Sequence, residues 1–232
     1  MGKKFELTDK FIINVFGIKL FQIKCTKSFK YAQKGDLGGY VEKEGNLDQE
    51  NDAWVSGDAQ VSGNARVYGN AWVSGDARVS GNAWVYGNAQ VSGNAQVSGD
   101  AQVSGDAQVS GNARVSGDAQ VSGNAWVYGN AQVYGDAQVS GNARVYGNAQ
   151  VYGDANIKNN NEHCGFDGFG SCNRHTHAYL TKEKKVEITC GCFRGSIEEF
   201  EKKVEETHSG TIYEKQYKAI INVIKIKFGL TD

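Results

Sequence analysis

The chain has 232 residues, with 25 basic against 26 acidic side chains, 30 glycines, no proline and five cysteines. This near balance of charge excludes a strong polyanion-seeking or membrane-seeking field, and an odd cysteine count with Cys190 and Cys192 split by one glycine excludes a secreted disulfide framework. No apolar run reaches membrane-spanning length, and Met1 to Glu6 opens no signal-peptide core, so the expectation is a soluble, cytoplasmic protein with no membrane partner.

Residues 1–45 read as an N-terminal β cap and lead-in. Phe11 to Lys24 is rich in β-branched and aromatic residues, and Gly17 marks a turn between two strands. The stretch KGDLGGYVEKEGNL, Lys34 to Leu47, then enters the phase of a six-residue repeat, with Leu47 expected in its alanine position.

Residues 46–158 carry that repeat, A-x-V-[Ser/Tyr]-G-[Asn/Asp]. Alanine recurs every six residues from Ala53 to Ala155, eighteen times, with valine two later and Ile157 in the last unit. Six is even, so in an extended chain Ala and Val share one face and the x and Ser/Tyr positions share the other. Gly followed by Asn or Asp supplies a corner, because these residues tolerate positive φ. One unit cannot bury its own apolar face, so units must stack. A disordered low-complexity tract would not need such strict phase. The repeat resembles that of left-handed parallel β-helices, in which three units make one triangular coil. The resemblance implies six coils, a prism roughly 29 Å long, and, by analogy, a homo-oligomeric trimer.

Residues 18 apart are then stacked neighbours. Trp54 lies over Trp72, Tyr68 over Tyr86, Tyr128 over Tyr146 and Tyr134 over Tyr152, while Arg66 neighbours Trp84 and Trp126 neighbours Arg144. Such pairs stabilise a coil by roughly 0.5–1 kcal/mol each. They serve either as ladders on an exposed sheet or as an aromatic platform for a partner, with Trp54 and Trp72 candidates for contact. One corner column, Asn64, Asn82, Asp100, Asp118, Asp136 and Asp154, ends in four carboxylates. These either splay into solvent or hold calcium, which takes oxygen ligands.

From residue 159 the character changes. Thr176 to Leu180 and Val186 to Cys190 read as a hairpin around Lys182 to Lys185. Ser196 and Glu199 form a capping box, after which Ile197, Phe200 and Val204 keep one helix face apolar. Tyr213, Tyr217, Ile220, Ile221, Ile224 and Phe228 make a second amphipathic helix. Residues 159–232 are expected to form a ββαα module. The fold class is therefore mainly β: a hexapeptide-repeat parallel β-helix with an N-terminal β cap and this small module.

The leader KGDLGGYVEKEGNL, the Tyr-Gly-Asn-Ala repeats and the tail FGSCNR…CGCFRGSIEEFEKKVEETH resemble a group of bacteriophage and prophage hexapeptide-repeat proteins. The resemblance spans nearly the whole chain. It implies a genetic setting and no particular activity.

Three chemistries compete with a purely structural role. Hexapeptide-repeat acyltransferases use a histidine base within the helical region. Here the repeats hold no histidine and no insertion, and His163, His175, His177 and His208 all lie beyond them. Zinc needs four tetrahedral ligands. Cys164, Cys172, His175, His177, Cys190 and Cys192 are candidates if the hairpin brings the His and Cys pairs together, the alternative being buried thiols and exposed histidines. No other cofactor is called for. Asn173 to His175 and the Lys182–Lys185 tip could touch nucleic acid, a partner that the charge balance disfavours. The expected function is a non-enzymatic interaction protein, its β-helix presenting the module to a host or phage protein, with a host defence component among the candidates. Arg174, His175, Phe193 and Arg194 are the expected contacts; an acyltransferase-like enzyme and a nucleic-acid-binding accessory protein are the alternatives.

Overall fold

The computed structural model describes residues 2–230. The chain opens with an antiparallel hairpin, β1 (Phe5–Ile13) and β2 (Lys19–Cys25), turning through Gly17 at φ 77°. Strand β3 (Leu37–Val41) pairs antiparallel with β2 and, on its other edge, parallel with Gln60–Val61. The hairpin and the solenoid thus share one nine-stranded sheet.

From there two-residue rungs stack in parallel on three faces. One face continues from β3 to Gln150–Val151. A second runs from Trp54–Val55 to Arg144–Val145, and a third from Arg66–Val67 to Asn156–Ile157. Rungs pair 18 residues apart, as Gln90 with Gln108 and Val91 with Val109. The expected alanine and valine columns point inward and are fully buried almost throughout. Each buried valine contributes roughly 1.5–3 kcal/mol.

The solenoid makes about seven turns rather than six. The added coil comes from β3, where Tyr40 pairs with Gln60, 20 residues on. Leu47 bridges to Val67, so it occupies the valine position and not the alanine position expected for it. Trp54 is back on the 18-residue register with Trp72, which places the two extra residues in the corner after Leu47. That longer corner fastens the N-terminal strand. Gln49 Oε1 accepts from the Lys4 and Phe5 backbone N–H groups at 2.8 and 3.2 Å, and Lys4 Nζ donates to the Ala53 carbonyl at 2.7 Å.

The corners are glycine columns. Gly99, at φ 68°, would put a Cβ 2.9 Å from the Gly117 backbone nitrogen, so successive corners close only without side chains. The asparagines beside them form ladders along the axis, as Asn94 to Asn112 to Asn130 to Asn148, each Nδ2 donating to the next Oδ1 at 3.1–3.2 Å.

The C-terminal module is a four-stranded antiparallel sheet with two helices. Its strands are β4 (His163–Phe169), β5 (Arg174–Leu180), β6 (Val186–Cys190) and β7 (Phe193–Gly195). The expected hairpin is β5 and β6; β4 and β7 were not expected. Helix α1 (Ile197–His208) starts at the Ser196–Glu199 capping box, and α2 (Ile212–Phe228) is capped by Thr211. One face of the sheet packs Ala178, Ile188 and Cys190 on Phe200, Val204, Tyr217 and Ile221. The other face closes the solenoid. Tyr179 is fully buried in the solenoid core, Ala155 bridges to Thr181, and Thr189 Oγ1 donates to the Gln150 carbonyl at 3.0 Å.

Candidate functional site

Strand alternation sorts the module's chemistry onto two faces. Thr176 pairs with Cys190, and Cys164 with Ala178, so both cysteines turn toward the helices. His177 pairs with Thr189 and turns toward the solenoid with His163 and Tyr179. The expectation that the hairpin joins the His175/His177 pair to the Cys190/Cys192 pair fails on this register. Cys190 is buried, receives a hydrogen bond from Thr176 Oγ1 at 3.3 Å and lies 3.7 Å from the Tyr217 hydroxyl. Cys172 and Cys192 are exposed in turns. Among the described residues no three His, Cys, Asp or Glu side chains are grouped so as to hold a metal ion, the Asp100, Asp118, Asp136 and Asp154 column included.

Two clefts result. The first lies on the helix side, with a volume of about 380 Å³. Phe193 packs on Phe200 with centroids 5.0 Å apart, Phe200 meets Tyr217 edge-on at 5.6 Å, and His208 stacks on Tyr217 at 5.5 Å. Arg174 comes from the start of β5, Arg194 from β7 and Lys203 from α1, and all line this apolar floor. No carboxylate is among the lining residues. Arg194 is tied to Glu187, Nε to Oε1 at 2.8 Å. Of the expected contacts, Arg174, Phe193 and Arg194 therefore come together here, and His175 does not.

His175 belongs to the second cleft, of about 490 Å³, between the end of the solenoid and the β4–β5 hairpin. His177 Nδ1 faces the Gln150 carbonyl at 3.3 Å and must carry the hydrogen. Its Nε2 is then the acceptor for His163 Nδ1–H at 3.0 Å. His175 Nδ1–H donates to Asp167 Oδ1 at 2.7 Å. This leaves the Nε2 atoms of His163 and His175 buried, with no protein partner. Burial, followed by the Lys227 charge, lowers the His163 pKa to about 4; burial, followed by His163 itself, lowers that of His177 to about 3. Both rings are neutral at pH 7. The roles of His163 and Asp167 were missed because the glycines at 165, 168 and 170 disguise β4 as a loop.

The remaining expected contacts divide. Trp54 is only 2% exposed, with Phe29 edge-on at 5.4 Å. Gly38 makes room for it, since a Cβ there would lie 2.7 Å from the Trp54 ring. Trp54 is therefore core and presents nothing to a partner. Trp72 is half-buried beneath Tyr31, stacked at 5.6 Å. On the coils the exposed rings are instead Trp84, Trp126 and Tyr146, at 41, 40 and 55% exposure. The Tyr68–Tyr86 and Tyr128–Tyr146 pairs stack as the columns require, at 5.1 and 5.5 Å.

These features define a parallel β-solenoid repeat protein whose C-terminal end is closed by a small α/β module. Its coils match the YdcK beta solenoid repeat over residues 59–75, 71–87, 77–93, 89–105, 107–119, 119–135 and 137–153. The chain is similar to that family along these coils, and the matched segments include neither the N-terminal hairpin nor the module. A comparison with curated proteins gives no match. No described helix is long and apolar enough to cross a membrane.

Proposed function

We propose that this is a non-enzymatic interaction protein of a phage or prophage. Its solenoid is a rigid post, and its module is the recognition end, which takes an acidic segment of a host or phage protein. A component of a bacterial defence system suits the genetic setting implied by the leader and tail motifs. The observation that supports this reading is the outer cleft: Arg174, Arg194 and Lys203 surround an aromatic floor that no carboxylate lines. Basic rims around aromatic floors fit acidic, partly apolar peptides.

The test is affinity capture of the intact chain from infected or lysogenic cells, compared with the Arg174→Glu/Lys203→Glu variant. Truncation at Lys158 is a poorer control, because removing Tyr179 opens the end of the solenoid core. A partner held by the parent and lost by the variant, with an unchanged melting temperature, supports the proposal. A partner retained by the variant moves the site elsewhere, and no partner at all overturns the reading.

A further inference from the structure

The three solenoid faces end in one complete coil, at Arg144–Val145, Gln150–Val151 and Asn156–Ile157. β5 packs over the last two of these rungs; Arg144–Val145 is the last rung of its own face. Eighteen residues beyond Tyr146 stands Cys164, already in β4. The repeat does not continue on this face, and the 490 Å³ cleft lies against its end. Asn160 substitutes for part of a further rung, its Oδ1 accepting the Arg144 backbone N–H at 2.8 Å.

This leaves an aromatic ladder open at its top. Tyr128 and Tyr146 stack nearly parallel, 16° apart, and Tyr146 is the last ring of that column, 55% exposed. Beside it the Arg144 guanidinium lies 5.2 Å over Trp126, and none of the ion pairs among the described residues involves it. Opposite, Asp167 leans over the Gly147 corner, its side chain 64% exposed. Behind the lining, the Nε2 atoms of His163 and His175 are buried without a partner. An open ring face, a free guanidinium and an exposed carboxylate call for a flat ring with an N–H edge and an anionic arm.

We infer that this cleft binds a nucleotide, its base stacked on Tyr146 as the next step of the ladder and its phosphate on Arg144. Asp167 accepts from the amino edge of the base. Volumes of roughly 300–1,000 Å³ are usual for small-molecule sites. Stacking on one aromatic ring is worth roughly 1–3 kcal/mol per base, which corresponds to about fivefold or more in affinity.

The test is calorimetric titration of the full chain with adenosine monophosphate, adenosine and inorganic phosphate. Expected are saturable binding of the nucleotide, about tenfold weakening in Tyr146→Ala, retention in Tyr146→Phe, and a loss in Arg144→Gln that affects the nucleotide more than the nucleoside. The Arg174→Glu/Lys203→Glu variant should bind as the parent does, so this site and the outer cleft fail separately. Absence of nucleotide binding at millimolar concentration overturns the inference. So does an affinity unchanged in Tyr146→Ala, or phosphate alone binding as well as the nucleotide.

Discussion

His163 and His177 share one hydrogen bond, Nδ1 to Nε2 at 3.0 Å, in the seam where the module meets the solenoid. Both rings are buried, and burial holds both pKa values below the ordinary imidazole value of 6.5, His163 at about 4. The unfolded chain therefore binds protons that the folded chain refuses. Stability should be flat above about pH 7 and fall as pH drops from 6.5 toward 4, by roughly 3 kcal/mol for one such group. Urea unfolding across that range checks it. A His163→Phe variant should roughly halve the slope between pH 6.5 and 5, before most carboxylates titrate, because His177 still refuses its proton.

The solenoid was legible in the sequence because its constraint is local and repeated. Every six residues the same two inward positions and the same corner recur, and pairing 18 residues apart is a direct consequence. The seven-turn length was less legible, because the first coil is two residues longer and its leading rung, Tyr40–Val41, shares no letters with the repeat except valine. Trp54 was misplaced outside for a related reason. Column arithmetic gives its neighbour along the axis but not Phe29, which arrives from a separate segment and covers it. The module showed its capping box and hairpin, whereas the faces of the hairpin depended on the register between β5 and β6. The open end above Tyr146 was implicit in the period, whose last coil runs from Arg144 to Ile157.

Gly99→Ala should cost about 2–4 kcal/mol. The substitution forces a β-carbon into positive φ, costing about 1–2 kcal/mol, and into contact with the Gly117 backbone nitrogen at 2.9 Å. Backbone cannot move aside without disturbing the next corner as well. Ser98→Ala, at the neighbouring outward position, should stay within about 0.5 kcal/mol. Melting temperatures of the two variants separate a corner requirement from general sensitivity of the coil.

Trp54→Ala should destabilise by about 3–5 kcal/mol, because it empties a buried site between Phe29 and β3. Trp126→Ala removes a ring that is 40% exposed and lies under Arg144, so it should cost about 1 kcal/mol or less. Chemical denaturation of both variants tests the division between core and surface tryptophans. Equal losses would contradict it.

The corner columns make opposite predictions for one change of side chain. In the asparagine column, Asn112 both accepts from Asn94 and donates to Asn130. Asn112→Asp keeps the acceptor but has no donor, so one ladder bond is lost at a cost of about 0.5–1 kcal/mol. In the neighbouring column the ladder runs from Asn64 to Asn82 to Asp100 and stops there, because a carboxylate cannot pass the bond on. Asp118→Asn restores a donor toward Asp136 and removes a charge from between two others. Adjacent carboxylates a strand spacing apart repel by about 0.9 kcal/mol in water, so this variant should be more stable than the parent by about 1 kcal/mol. Salt screens that repulsion, so the gain should shrink between 0.01 and 1 M sodium chloride, whereas the loss in Asn112→Asp should keep its sign. Thermal melts of both variants across that salt range decide whether the corners act through hydrogen bonds, through charge, or through neither.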